Sequence, residues 1–233
     1  MRFDGVVLIT GAAGNLGRAV AGAFTAAGAR TALLDLDARA LEAAYGSDND
    51  TRVSLAADLG NEAAIAAAVA KVQARFGRID ALCNIAGGFR MGPALHETPD
   101  ELWQQMMDLN AGSVLRMARA VVPGMLAAGR GKIVSVAAMG GTRGGAQMAA
   151  YSASKSAVIR LTESMALELR DKGINVNCVL PSTIDTPANR ASMPQADFGK
   201  WVAPAALADV ILFLSSDAAR AIHGAALPVV GLS

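Results

Sequence analysis

Short runs rich in Val, Leu and Ile recur along this 233-residue chain and alternate with longer, Ala-rich stretches of helical period. The runs at 6–10, 31–34, 53–56, 81–85, 132–137, 175–180 and 226–230 lack a clean alternation of apolar and polar residues. Strands of that kind are covered on both faces. Helices are predicted over 16–27, 38–44, 62–76, 101–127, 151–172 and 205–215. Regular strand–helix alternation implies right-handed βαβ units. The expected architecture is therefore one α/β domain over residues 1–233, with a doubly wound, parallel, seven-stranded sheet and helices on both faces. Ligands of such sheets bind outside the carboxyl ends of the strands, so the chemistry is sought just after each run.

The first run is followed by Thr10-Gly11-Ala12-Ala13-Gly14-Asn15-Leu16-Gly17, which opens a helix. Glycines let the backbone turn tightly and approach a pyrophosphate, and the helix N-terminus offers free N–H groups and the positive end of its dipole. The strand–turn–helix setting is what makes a glycine triplet informative. The second run ends in Asp35, 24 residues after Gly11. A carboxylate there accepts hydrogen bonds from a ribose hydroxyl pair and repels a 2′-phosphate. Neither Ala13 nor Leu36 supplies a cation, so NAD(H) is expected in preference to NADP(H). Asp58, with Leu59, follows the third strand and is placed to accept from an adenine amino group. Asn84, Ala86 and Gly87 follow the fourth and would pass close to the adenosine ribose.

Tyr151 and Lys155 stand four residues apart in a helical stretch, on one face. A phenol of pKa near 10 is a poor proton donor and base at neutral pH, and a neighbouring ammonium favours its ionised form. That pair suits proton exchange with a substrate oxygen or nitrogen.

Composition narrows the remaining possibilities. Net charge is +1 and basic residues form no long run, which argues against nucleic acid and anionic membranes as partners. The apolar run near the N-terminus is too short for a signal-peptide core, and no segment reaches the length of a membrane helix. Cys83 and Cys178 sit in buried-strand patterns and read as free thiols in a reducing cytoplasm. His96 and His223 lie far apart without ligand-like neighbours, so no metal site is expected.

Taken together, these residues resemble the short-chain dehydrogenase/reductase family. The match runs in order from the Gly11–Gly17 turn through Asp58, Asn84-Ile85-Ala86-Gly87 and Asn110 to Tyr151-x-x-x-Lys155 and the Pro181 segment. The resemblance implies a single-domain Rossmann fold and a nicotinamide cofactor. It implies that Tyr151 is the general acid/base and that Lys155 lowers its pKa and holds the nicotinamide ribose. By the same resemblance Asn110 kinks its helix and carries a water in a proton relay. Pro181, Ile184 and Thr186 would meet the nicotinamide side. Family helices also pair between subunits, so a homo-oligomer is expected, a tetramer or dimer.

Two departures bear on substrate. The family usually carries a serine thirteen residues before the tyrosine, and this chain has Ala138 there. Losing such a donor costs roughly 10²–10³ in rate on a carbonyl. Ser135 lies three positions away and would face the other side of a strand, so either Thr142, Gln147 or another group replaces the serine, or the substrate needs no such donor, or catalysis is lost. Ile85 replaces the family's second asparagine. Phe89 and the 180–198 segment are similar to the dihydropteridine reductase branch, which also has alanine at the serine position. Residues 182–203 form a proline-flanked polar stretch, long enough to be a functional loop. It is expected to be a lid, with Met193, Phe198 and Trp201 as candidate walls of the substrate pocket. Three readings follow: an NAD(H)-dependent oxidoreductase acting on a small carbonyl, alcohol or imine-like carbon; a quinonoid dihydropteridine reductase; and a weakly catalytic nucleotide-binding sensor or scaffold.

Overall fold

A computed structural model describes residues 1–232. The seven strands are β1 (Val6–Thr10), β2 (Arg30–Asp35), β3 (Arg52–Ala56), β4 (Ala81–Asn84), β5 (Gly131–Val136), β6 (Ile174–Pro181) and β7 (Ala226–Val229). They form one sheet in the order β3-β2-β1-β4-β5-β6-β7, and every adjacent pair is parallel. The helices are α1 (Asn15–Ala26), α2 (Ala38–Tyr45), α3 (Glu62–Phe76), α4 (Asp100–Met107), α5 (Ser113–Ala128), α6 (Ala149–Leu169), α7 (Pro187–Ser192) and α8 (Pro204–Leu214).

The pleat explains why the strands lack polar alternation. Val7, Ile9, Leu33, Cys83 and Val134 pack under Leu16, Val20 and Phe24 of α1 and Leu207 and Ile211 of α8. Their neighbours Val6, Leu8, Leu34, Leu82 and Ile133 pack under Ile65 and Val69 of α3 and Met117 and Val121 of α5. The inner strands β1, β2, β4, β5 and β6 thus each fill two cores at once. Cys83 and Cys178 are free and fully buried. Strand order reverses between β1 and β4, and this opens the crevice where ligands of doubly wound sheets bind.

Three expected elements take a different form. The helix read over 101–127 is broken into α4 and α5 by a π-helical turn at Asp108–Gly112, with Asn110 in its middle. The apolar period runs through the turn undisturbed, so periodicity does not reveal it. The helix read over 151–172 starts two residues earlier, at Ala149, and tightens into a 3₁₀ turn at Arg170–Lys172. The stretch 182–203, expected as a loop, contains α7, started by Pro187 and capped by the Thr186 hydroxyl, and a 3₁₀ turn at Phe198–Lys200. At the sheet edge β7 accommodates Pro228, where the missing N–H costs no ladder bond.

Candidate active site

The turn after β1 is built for close approach. Gly11 has φ +64°, and a Cβ there would lie 2.8 Å from the Cα of Ala86 on the β4 side of the crevice. A Cβ on Gly17 would collide with the Gly11 carbonyl. Gly14 precedes α1 with no side-chain cap, and no acid occupies its first turn. In contrast, Asp37 caps α2 and Asn61 caps α3. The first-turn amides of Asn15, Leu16 and Gly17 are therefore left for an external anion.

Asp35 has a second duty that the sequence does not show. Its Oδ2 accepts from the Ala13 amide at 2.9 Å and its Oδ1 from the Leu36 amide at 2.8 Å. The carboxylate thereby ties the end of β2 to the glycine turn. The Tyr45 hydroxyl reinforces it, donating to the Ala12 carbonyl at 2.6 Å. Arg18, overlooked in the sequence, lies close enough for its charge to act on Tyr45, whose phenol is pushed up to about 12, chiefly by burial. A cation therefore does stand beside the turn, presented from α1.

Asp58 is exposed beyond β3 and accepts from the Gly60 amide at 2.7 Å. Leu59 is half-buried, and its carbonyl accepts from Arg116 Nε at 2.6 Å. Asn84 points into the sheet, buried, and its amide donates to Ser135 Oγ at 3.1 Å. Ala86 and Gly87 carry the chain past the crevice. The Thr10 hydroxyl accepts from the amides of Ile85 and Ala86 at 3.1 and 3.2 Å, which closes the β1–β4 gap.

On α6, Tyr151 is half-buried and Lys155 is buried. Lys155 Nζ donates to the Val136 carbonyl at the end of β5, at 2.8 Å. Burial pulls the Lys155 ammonium down to about 8. The Tyr151 phenol moves the other way, upward, because it is withdrawn from water. Lys155 is directed at a backbone carbonyl here, and desolvation is what moves the phenol.

Asn110 binds the surroundings of this pair together. Its Oδ1 accepts from the Gly88 amide at 2.9 Å, and its Nδ2 donates to the Gly88 carbonyl at 3.1 Å and to Ser154 Oγ at 3.0 Å. Ser154 Oγ in turn donates to the Tyr151 carbonyl at 2.8 Å. Both amide hydrogens of Asn110 are thus engaged by protein. Ser154 went unnoticed in the sequence, and its one available signal was a hydroxyl between Tyr151 and Lys155.

Ala138 is buried where β5 gives way to a 3₁₀ turn at Met139–Gly141. Ser135 does point elsewhere, into the sheet toward Asn84. The Thr142 hydroxyl donates to the Met139 carbonyl at 2.7 Å. Gln147 is exposed and has φ 60°, the one positive φ of a non-glycine among the described residues. Phe89 lies against Tyr151, ring centroids 4.8 Å apart and planes at 86°.

Pro181 ends β6, buried, and Ile184 pairs with Val202 to form the neck of the 182–203 stretch. Its aromatics pack on one another: Phe198 lies 4.8 Å from Trp201, and the Arg190 guanidinium sits 4.8 Å over the Phe198 ring. Arg190 also grips Asp185 through two bonds, at 2.6 and 2.7 Å, and holds that carboxyl below the usual range. Trp201 thus belongs to the stretch's own small cluster, while Met193 is exposed. Among the described residues no group of three or more His, Cys, Asp or Glu is placed to hold a metal, and no helix is long and apolar enough to cross a membrane.

Comparison with known proteins follows the same line. The family model for short chain dehydrogenases matches residues 5–197. The D-threitol dehydrogenase of Mycolicibacterium smegmatis is 37% identical, across 99% of this chain and 93% of its own length. A structure of NAD+-bound xylitol dehydrogenase superposes with a TM-score of 0.89 at 29% identity, covering 97% of both chains. The 3-ketoacyl-(acyl-carrier-protein) reductase of Brucella melitensis, complexed with NADH, superposes with a TM-score of 0.88 at 31% identity, covering 97% of this chain and 96% of the other.

Proposed function

The chain belongs to the short-chain dehydrogenase family and is an oxidoreductase, and from that premise we propose an NAD(H)-dependent enzyme that interconverts a small secondary alcohol and its carbonyl. The observation that carries this reading is the convergence of a half-buried phenol, a buried ammonium and an amide-fixed loop at one end of the sheet. The uncapped start of α1 and the glycines that leave it open fit a pyrophosphate. Asp35, Asp58 and the Ala86-Gly87 passage line the adenosine side. Lys155, Pro181, Ile184 and Thr186 line the nicotinamide side. When bound, the nicotinamide supplies or accepts the hydride.

The protein's own part is position and proton. Tyr151, kept neutral by burial, donates to the oxygen that gains charge during reduction and takes the proton back during oxidation. The Lys155 ammonium, charged at neutral pH, stabilises the phenolate left behind. Asn110 holds the loop and helix that carry these groups. The sugar-alcohol relatives favour a hydroxylated substrate. Ala138, buried without a hydroxyl, keeps a quinonoid dihydropterin as second reading, because an imine-like centre does not need the missing donor.

NADH and NADPH oxidation assayed against short hydroxyketones, cyclic ketones and quinonoid dihydropterin tests the proposal. Turnover of a ketone, with the reverse reaction on its alcohol, is expected. Turnover of dihydropterin alone would favour the second reading. No turnover with either cofactor would return the protein to a nucleotide-binding sensor or scaffold.

A further inference from the structure

The loop leaving β4 lays Phe89 edge-to-face on Tyr151, with centroids 4.8 Å apart. Phe89 remains 53% exposed, so burial of its own surface does not explain its placement. The fixing points lie on either side of it. One residue earlier, the Gly88 amide and carbonyl are both held by Asn110, at 2.9 and 3.1 Å. Three residues later, the Gly92 amide donates to the Gln147 carbonyl at 2.8 Å. Gln147 aims that carbonyl from the left-handed region, at φ 60°. A non-glycine residue stays there only where its surroundings over-determine it. On another side of the phenol, a Cβ added to Gly140 would stand 3.2 Å from Tyr151 Cε1, so the ring fits against bare backbone. Tyr151 is thus confined between a stapled aromatic ring and a residue without a side chain.

We propose that Phe89 is a positioning residue for the reaction: stapled through Gly88 and Gly92, its ring holds the Tyr151 phenol in its reacting direction and walls the pocket with apolar surface. The proposal rests on the reading of Tyr151 as the group that exchanges the proton. It also narrows the substrate class. With Ala138 offering no hydroxyl and Phe89 no polar atom, a hydroxylated substrate would set its carbon skeleton, not its further hydroxyls, against this wall.

The chain has 2 tyrosines, so Tyr45→Phe leaves Tyr151 as the sole phenol. Its ionisation is then read by phenolate absorbance, without cofactor or substrate. Charged groups on the surrounding elements include Lys155 on α6, Arg90 beside Phe89, Arg143 on the loop before α6, and Asp100, Glu101 and Asp108 on the α4 path, and all are kept. In that background Phe89→Ala is expected to titrate at lower pH than the parent, because the phenol loses cover. Phe89→Leu, which restores apolar bulk, is expected to return toward the parent midpoint. In the otherwise native chain Phe89→Ala should lower kcat about 10–100-fold, as for a misplaced reacting group, with KM for NADH unchanged. Phe89→Leu should recover part of the loss. An unmoved Tyr151 midpoint in folded Phe89→Ala protein, or a loss confined to KM for NADH, overturns the proposal. A parent protein without turnover would sink the oxidoreductase reading instead, and the titration would still decide whether Phe89 sets the phenol's environment.

Discussion

At the scale of single residues, Tyr151, Lys155 and the Gly11–Gly17 turn are singled out in the sequence by type and spacing. What spacing does not reveal is the direction of a side chain. Lys155 turns to the Val136 carbonyl, and Asp35 already holds the Ala13 amide. Under the proposed function, Asp35 would couple cofactor choice to stability. Asp35→Ser with Leu36→Arg removes a repulsive carboxylate and adds a phosphate partner. The ratio of kcat/KM for NADPH over NADH is expected to rise. Losing a hydrogen bond to a charged group should also cost about 1.5–3 kcal/mol in urea unfolding. A clear NADPH preference in the parent would show that Arg18, and not Asp35, governs that end of the site. The pH dependence follows from Lys155. Burial lowers its ammonium to about 8, so the charge is present below that pH and is lost above it. kcat/KM for reduction should accordingly fall as pH rises through about 8 in the free enzyme. A profile flat from roughly pH 7 to 10 would remove Lys155's charge from the mechanism.

At the scale of elements, periodicity located every strand and most helices, because the inner strands serve two cores and each helix one face. It could not show the π-helical turn at Asp108–Gly112, since one extra residue in a turn barely disturbs an apolar stripe. Such turns gather at functional sites, and this one delivers Asn110 to Gly88 and Ser154. Asn110→Ala leaves a buried hydroxyl and two backbone groups without that partner. A loss of about 2–4 kcal/mol is expected by chemical denaturation, together with a fall in kcat, because the loop that carries Phe89 is released. Unchanged stability would mean that water replaces the amide at no cost. The stretch 182–203 escaped the same reading for a different reason. Its order comes from polar devices rather than an apolar stripe: a Thr186 cap, the Arg190–Asp185 pair and the Arg190–Phe198 stack. Met193 and Trp201 were expected as pocket walls. Trp201 packs on Phe198 across the 3₁₀ turn at Phe198–Lys200, which no period announced.

At the scale of the whole molecule, one surface is unaccounted for by the fold of a single chain. Met107, Ala111 and Leu115 from the α4–α5 path face Ala157 and Leu161 of α6 across a groove of about 440 Å³, with Asp108 and Arg160 among its lining. Leu115 is 41% exposed there. These are the two helices whose apolar and small residues exceed what one sheet face needs. A symmetric pairing that sets this face against its twin would bury the groove. The π-helical turn lies on the same path, so pairing would also brace the segment that carries Asn110. Light scattering is expected to give a multiple of the 23.7 kDa chain mass, a tetramer or a dimer. Leu115→Glu combined with Leu161→Glu places like charges on both sides of the two-fold and should yield a smaller species with reduced turnover. The Tyr151 phenol should still titrate as in the parent if the fold is intact. A parent that is monomeric at micromolar concentration refutes the pairing. A double variant that keeps the parent's mass would move the interface to another face of the molecule.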